Sequence, residues 1–237
     1  MKLLAFDTST ELISIAVTRS VGGVARVWQH TGAGGAQASS ALIPAIETLM
    51  AEADLKFAEL DAIAFGRGPG SFTGLRTACA VAQGLGFGAG VPLLPVDTLL
   101  AVAEEARAQH APRQQTLRLL ALLDARMDEL YAAPYEYTDS RWQQRADFSL
   151  FKPEQVLLHD SQALAGNVFA EYGERLSVPP GVPCWPALPT AAAMLRLAPS
   201  LLAAGNAVAA EAALPRYIRD KVALTTQERA AAKAGNP

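Results

Sequence analysis

The stretch that decides the fold is residues 61–90, DAIAFGRGPGSFTGLRTACAVAQGLGFGAG, which joins a strand, a glycine-rich loop and a helix. Asp61 to Phe65 is a short apolar run of the kind that forms a buried strand. The loop Gly66–Gly74 follows directly and leads into a helix that extends to about Gly90. A buried strand that turns straight into a helix is typical of α/β proteins. The stretch therefore predicts a sheet covered by helices.

Further strands and helices are predicted on both sides of this stretch. Before it, three short strands with tight turns predict an antiparallel meander, and one amphipathic helix follows them (residues 2–6, 12–18, 24–30 and 37–53). After it, a strand and a helix precede a second series of strands and a final helix (residues 91–96, 97–109, 117–123, 130–137, 143–151, 167–172 and 191–204). Asp97 is expected to cap the helix that it precedes.

The two halves of the chain echo each other. Phe6-Asp7-Thr8-Ser9 and Leu123-Asp124-Ala125-Arg126 each end a strand in an Asp-containing turn before a strand hairpin. The echo predicts two lobes of related architecture. We expect a first lobe that is rejoined by a later segment, a smaller second lobe and a flexible tail (1–110 with about 205–224, 111–204 and 225–237).

Composition and charge argue against several classes of protein. The 237 residues carry a formal net charge of -3 with scattered basic residues, whereas nucleic-acid binding needs a concentrated basic surface. The longest stretch without a charged side chain, Thr77–Val96, is interrupted by glycines and prolines, which argues against a membrane span. The opening apolar run meets Asp7 too early for a signal peptide. With Cys79 and Cys184 as its two cysteines, a cytoplasmic protein without disulfides is expected.

The loop Gly66–Gly74 supports two interpretations. Its glycines and the following helix could present backbone N–H groups to a phosphate. However, Gly74 is followed by Leu75 and Arg76 rather than by the Lys-Ser/Thr ending of a P-loop. Spacing alone favours a tight turn in which Ser71 caps the helix. Asp7 and Asp124 could likewise flank a magnesium nucleotide, although spacing alone favours ordinary caps at strand ends.

The helix after the loop carries a small-residue ridge, in which Gly or Ala recurs every fourth residue (Gly70, Gly74, Ala78, Ala82, Gly86 and Gly90). Such a ridge lets another backbone approach closely. An interior glycine costs a helix up to about 1 kcal/mol relative to alanine, so a compensating contact is expected. That contact is either with the protein's own sheet and neighbouring helix or with another chain.

The usual catalytic signatures are absent from the sequence. His30, His110 and His159 are far apart, so the sequence contains no His-x-x-x-His metal motif. Ser71 lies in Gly-Ser-Phe-Thr-Gly, which differs from the Gly-x-Ser-x-Gly nucleophile motif. The sequence therefore argues against a peptidase.

Four motifs resemble one known family, TsaB (also called YeaZ), a subunit of the bacterial machinery that makes threonylcarbamoyladenosine in tRNA. They are AFDTST at 5–10, GRGPGSFTGLR at 66–76, AQGL at 82–85 and DARMDELY at 124–131. The similarity covers roughly the first half of the chain and returns in PRYIRDKVA at 215–223. The resemblance implies an actin-like, Hsp70-type ATPase (ASKHA) α/β fold with two lobes, each a mixed sheet with flanking helices, and a reduced second lobe.

The resemblance also implies a nucleotide site that survives only as a vestige (Asp7, Thr8, Ser9, Gly68, Gly70, Ser71 and Asp124). The catalytic relative TsaD carries a His-x-x-x-His metal site at the positions of Thr98 and Val102. This chain is therefore expected to lack both threonylcarbamoyl transfer and metallopeptidase activity. It is expected to need no cofactor of its own beyond weak binding of ATP or ADP, because ATP and metal belong to the partner subunits.

The family's role is that of a non-catalytic scaffold that activates TsaD. The resemblance places the contact on the helices at 37–53 and 72–90, which favours an intermolecular role for the ridge and its neighbours (Leu42, Ile46, Leu49, Gly70, Gly74, Ala78, Ala82 and Gly86). Further expected partners are the TsaE ATPase, tRNA through the complex only, and a second copy of the chain when TsaD is absent. The alternative is an ATP-binding or ATP-hydrolysing enzyme of the same fold.

Overall fold

In the computed structural model, which describes residues 1–158 and 160–218, the first sheet has five strands. Their order is β3-β2-β1-β4-β5 (β1 Leu3–Asp7, β2 Leu12–Val21, β3 Val24–Ala33, β4 Ala62–Gly68 and β5 Leu93–Asp97). The first three strands pair antiparallel, as the sequence predicts, whereas β4 runs parallel to β1 and β5 runs parallel to β4. Parallel neighbours need crossover connections, which helices supply here.

The described residues form five α-helices (α1 Ala38–Glu52, α2 Phe72–Ala89, α3 Thr98–His110, α4 Phe169–Tyr172 and α5 Ala191–Ala203). Three of them, α1, α2 and α5, cover the two faces of the first sheet. α1 and α2 pack on the face that carries Leu4 and Phe6. α5 packs on the opposite face, which carries Leu3 and Ala5. Because successive strand residues point to opposite faces, the unbroken apolar run of β1 supplies the core of both layers.

The second sheet repeats the strand order of the first. Its order is β11-β10-β6-β7-β8, with β9 paired to β7 (β6 Thr116–Arg126, β7 Glu129–Thr138, β8 Arg141–Gln144, β9 Ser149–Phe151, β10 Ala163–Gly166 and β11 Cys184–Pro186). β6, β7 and β8 form the meander, whereas β10 runs parallel to β6 and to β11. This repeat confirms the predicted relation between the halves. The second lobe is reduced, because the four-residue α4 follows β10 where the long α2 follows β4 in the first lobe.

One strand prediction is wrong and another is imprecise. Residues 167–172 contain α4, and the strand lies just before them as β10. Val168 and Tyr172 are buried four residues apart, which is the spacing of a helical turn rather than of a strand. The strand expected at 143–151 is two shorter strands, β8 and β9.

α3 lies between the two sheets and contributes to both cores. Its Leu99 and Val102 pack with the second sheet, whereas Ala101 packs with the first sheet and α5. The carboxylate of Glu104, on the same helix, is buried and accepts hydrogen bonds that join separate elements. The donors are Arg107 of α3, Trp142 of β8 and Arg196 of α5, each at 2.9 Å. α3 therefore joins the two lobes through packing and through hydrogen bonds to Glu104.

α5 corrects the expected boundary between the lobes. Its residues fall within the range 111–204 expected for the second lobe, yet Met194 and Leu197 pack against the first sheet. The segment after α5 returns along the first lobe, as expected, and Val208 exchanges backbone hydrogen bonds with Leu93 of β5. The predicted tail at 225–237 lies outside the described residues, as does His159. Within the described ranges, no helix has the length and apolar character needed to cross a bilayer.

Candidate functional site

A cleft of about 770 Å³ separates the lobes. The turn between β1 and β2 borders it on one side, and the turn between β6 and β7 borders it on the other. Because each turn follows the first strand of its sheet, the duplicated topology places the two Asp-containing turns opposite each other. The lining includes polar groups from both lobes and from the C-terminal segment (Ser9, Ser71, Asp124, Arg126, Asn167 and Arg216).

Asp7 is buried inside the first lobe and does not line this cleft. Its side chain is 1% exposed, and its Oδ1 accepts hydrogen bonds from the backbone N of Ser9 at 2.8 Å and from the Ser9 hydroxyl at 2.6 Å. Within the described residues its Oδ2 has no hydrogen-bond partner. Burial raises the pKa of Asp7 to about 6, against the opposing effect of the two bonds from Ser9. Gly66 makes room for this carboxyl group, because a Cβ there would overlap Oδ2.

The glycine loop packs directly onto the first turn. The Thr8 hydroxyl donates to the carbonyl oxygen of Gly74 at 2.7 Å, and the backbone N of Ser71 donates to the carbonyl oxygen of Ser9 at 2.8 Å. A Cβ on Gly74 would overlap the Thr8 carbonyl oxygen, and one on Gly70 would come within 2.6 Å of the Ser9 Cβ. The glycines therefore serve close packing within the chain. Ser71 caps α2, as predicted, by accepting from the backbone N of Gly74 at 3.5 Å.

The start of the loop is tied to α3. Gly68 has a φ of +122°, and its backbone N donates to the hydroxyl of Thr98 at 3.1 Å. Asp97 stands at the N-cap position of α3 but makes no capping hydrogen bond, which corrects the prediction. Its Oδ1 instead accepts from Nε of Arg67 at 2.6 Å. Thr98 and Val102, the two positions that the family resemblance singled out on α3, are both buried.

In the second turn, between β6 and β7, polar side chains line the cleft, unlike Asp7 of the first turn. Asp124 Oδ1 accepts from the Tyr172 hydroxyl and from the backbone N of Arg126, both at 2.8 Å. Burial, together with this contact to Asp124, raises the pKa of Tyr172. Arg126, Met127 and Asp128 all have left-handed backbone conformations, with φ values of 62°, 57° and 63°. This conformation aims Arg126 across the cleft, where its guanidinium forms an ion pair with Glu11 of the first lobe.

These residues do not fit the magnesium nucleotide that the fold implies. Ser9, Gly70, Ser71 and Asp124 border the cleft, whereas the expected first-lobe carboxylate, Asp7, is sealed away from it. The polar groups of the first turn are already bonded to the glycine loop and to Asp7. Within residues 1–158 and 160–218, no group of three His, Cys, Asp or Glu side chains is placed to hold a metal ion.

All of the small-residue ridge except its last member, the exposed Gly90, packs inside the chain, which corrects the expectation that the ridge faces a partner. Ala78 and Ala82 are 0% exposed and pack in the core formed with the first sheet, and Gly86 packs on Leu93. The other residues expected at the interface are also buried or lie against the first turn (Leu42, Ile46, Leu49, Gly74 and Gly70). The close approach that the ridge permits is therefore made by the chain's own strands.

The opposite face of α2 is exposed and also carries small residues, which sequence reasoning overlooked. Ala80, Gly84 and Gly88 are exposed, and a Cβ on either glycine would meet nothing within 4 Å. Phe87 stands beside them with 84% of its surface exposed. Ile43 on the neighbouring α1 is another exposed large apolar residue. Phe87 could have indicated this face from the sequence, because it is an aromatic residue between two glycines and does not fall on the buried ridge.

The two faces of α2 predict opposite effects for the same substitution. Gly74→Ala should lower the free energy of unfolding by about 1–3 kcal/mol, because the added Cβ overlaps the Thr8 carbonyl. Gly84→Ala should raise it by about 0.5–1 kcal/mol, because the Cβ meets open space and alanine favours a helix. Urea unfolding of the two variants beside the wild type measures both changes. Equal effects at the two positions would contradict the assigned faces.

Replacing Asp7 tests its burial. The pKa of Asp7 is about 6 in the folded chain, against an ordinary value of 3.8, so the folded state disfavours the ionised carboxylate. The free energy of unfolding should therefore fall as the pH rises from about 4 to about 6. Asp7→Asn keeps the acceptor for Ser9 and removes the charge, so it should stabilise the chain at pH 7 by about 1–3 kcal/mol. The gain should shrink towards pH 4 in urea titrations. A pH-independent difference would contradict this assignment.

Comparisons with known proteins agree with this fold. The family model described as TsaD: tRNA N6-adenosine threonylcarbamoyltransferase matches residues 32–235. The tRNA threonylcarbamoyladenosine biosynthesis proteins TsaB of Escherichia coli and Haemophilus influenzae are each 32% identical over 94% of this chain, covering 96% and 95% of those proteins. The structure of YeaZ from Pseudomonas aeruginosa superposes with a TM-score of 0.80 at 36% identity, covering 92% of this chain and 99% of that one.

The similarities to TsaB and YeaZ proteins extend over more than nine-tenths of the chain. Together with the repeated strand order of the two sheets, they confirm the expected actin-like α/β fold. The chain belongs to the TsaB (YeaZ) family.

Proposed function

We propose that this chain is a non-catalytic subunit of the machinery that forms N6-threonylcarbamoyladenosine in tRNA, and that it supports a TsaD transferase. The observation that carries the proposal is the match over 94% of the chain to relatives whose names assign them to that biosynthesis. In this proposal the chain needs no cofactor, and ATP and metal belong to partner subunits such as TsaE.

The interior of the cleft supports the non-catalytic part of the proposal. An ATP-hydrolysing enzyme of this fold needs a carboxylate that reaches the cleft from the first lobe, and Asp7 is turned away from it. A TsaD-like metal site needs two imidazoles, and Thr98 and Val102 supply none. The described residues therefore provide no contact that supports the alternative of an ATP-dependent enzyme.

The exposed face of α2, with Ile43 of α1, is the proposed docking surface for TsaD. Gly84 and Gly88 let a partner helix approach closely, and Phe87 offers a large apolar anchor. The same surface would pair two copies of the chain when TsaD is absent. The family resemblance led us to expect the ridge at this interface, and we propose the exposed face of α2 in its place.

Contact with tRNA is proposed to occur through the complex only. Two arginines of the second lobe are each paired with two carboxylates within the chain. Arg118 pairs with Glu136 and Asp160, and Arg175 pairs with Asp128 and Glu154. A phosphate backbone would have to compete with these carboxylates.

Reconstitution tests the assigned pathway. Purified TsaD and the remaining partner proteins of the same organism are incubated with unmodified tRNA, with and without this chain. We expect threonylcarbamoyladenosine, measured by mass spectrometry of the nucleosides, to form only when the chain is present. Equal modification without the chain would overturn the proposal.

A bulky substitution tests the docking surface. Ala80→Trp should abolish co-purification with TsaD, because the indole holds the partner helix away from Gly84. The monomer should remain folded, since position 80 is exposed. Ala203→Trp, at an exposed alanine on the last turn of α5, is the matched control and should bind normally. Wild-type binding by the Ala80 variant, with unchanged circular dichroism for both variants, would rule out this surface.

A further inference from the structure

The C-terminal segment of residues 205–218, here called the strap, runs along α2 from its end to its start. Val208 pairs with Leu93 beside the end of α2, and the carbonyl oxygen of Ala213 accepts from Gln83 Nε2 at 2.9 Å. At the start of the helix, the Tyr217 hydroxyl accepts from Arg76 Nε at 3.0 Å. The Tyr217 ring also lies 5.3 Å from that of Phe72. The strap is therefore fixed to the helix that carries the proposed docking surface.

Arg216 extends the strap to the second lobe. Its backbone N donates to the carbonyl oxygen of Arg67 at 2.6 Å, and its guanidinium lies 3.8 Å from Asp97 of the first lobe. The same guanidinium lies 3.5 Å from the carboxylate of Asp147 and 4.2 Å from the ring centre of Phe148. Asp147 and Phe148 precede β9, so one side chain contacts both lobes.

The lobes are joined unequally on the two sides of α3. The side along α3 is apolar and buried, and Glu104 bonds to elements of both lobes there. Near the cleft, partly buried Ile218 of the strap packs against the core formed by α3 and the second sheet. The polar contacts between the lobes there are those of Arg216 and the ion pair of Arg126 with Glu11. These cleft contacts are largely exposed, since the side chains of Asp147 and Glu11 are 94% and 77% exposed. Exposed ion pairs are weak, so this side opens more easily than the α3 side.

We propose that the strap couples the docking surface on α2 to the opening of the cleft, with Arg216 as the positioning residue. A partner that binds α2 holds the strap, and the strap places Arg216 against Asp147 and Phe148. Partner binding and cleft closure then favour each other, because each selects the same placement of the strap. The proposed function supplies the identity of the partner, whereas the link from strap to cleft rests on the chain's own contacts.

Hydrogen exchange of the isolated chain tests the link without a partner. Arg216→Gln removes the charge that faces Asp147 and should speed amide exchange in the turns at 8–12 and 124–130 by about threefold to fivefold. Arg216→Lys should restore part of the protection. Arg113→Gln, at an exposed arginine outside the strap, should leave exchange unchanged. Wild-type exchange in both turns of the Arg216→Gln variant would overturn the proposal.

Hydrogen exchange in the presence of TsaD distinguishes coupling through Arg216 from a merely structural role of that residue. Binding to the wild type should slow exchange at 124–130, although that turn lies across the cleft from the docking helix. Arg216→Gln should still co-purify with TsaD and lose this slowing. Retained slowing in the variant would refute the coupling. If TsaD binds neither protein, the proposed function fails, whereas the isolated-chain experiment still decides whether Arg216 of the strap restrains the opening of the cleft.

Discussion

The first lobe depends on the contact between the β1–β2 turn and the glycine loop. Thr8 and Ser9 bond to the backbone of the loop, and the absence of side chains at Gly70 and Gly74 lets the two segments touch. This contact fixes the start of α2 and hence the face that α2 shows to solvent. It also uses polar groups that a nucleotide would need. A motif suited to phosphates therefore acts here as an internal contact between two segments of the first lobe.

Most of the fold could be predicted from the sequence, because its strands are strongly apolar and its turns are marked. The apolar run before Asp7, the loop into α2 and the echo at Asp124 were sufficient for two related lobes. The prediction at 167–172 failed because one helical turn and a strand can bury similar residues, so a short apolar run is ambiguous. The placement of α5 failed for another reason. Its apolar face fits either sheet, and only tertiary packing assigns it to the first.

The site was less predictable than the fold. The four-residue spacing on α2 identified correctly a ridge that demands close contact, but spacing cannot say which side of a helix faces the sheet. That choice depends on the strands, whose apolar residues meet Ala78 and Ala82. The direction of Asp7 was also missed, although it follows from the parity of β1, in which Leu3, Ala5 and Asp7 share one face. With that parity, burial of the carboxyl group could have been anticipated.

The position of α5 and the strap has a consequence for synthesis on the ribosome. The first sheet is made early, but α5, which covers the face around Leu3 and Ala5, emerges only after the whole second sheet. Until then that apolar face is covered only in part, by Ala101 of α3, and the edge strand β5 lacks its partner at Val208. Such sequence-distant contacts raise contact order and slow folding. The nascent chain therefore encloses its earliest strands only after α5 and the strap have been made, and a chain that ends before α5 leaves part of the first sheet uncovered.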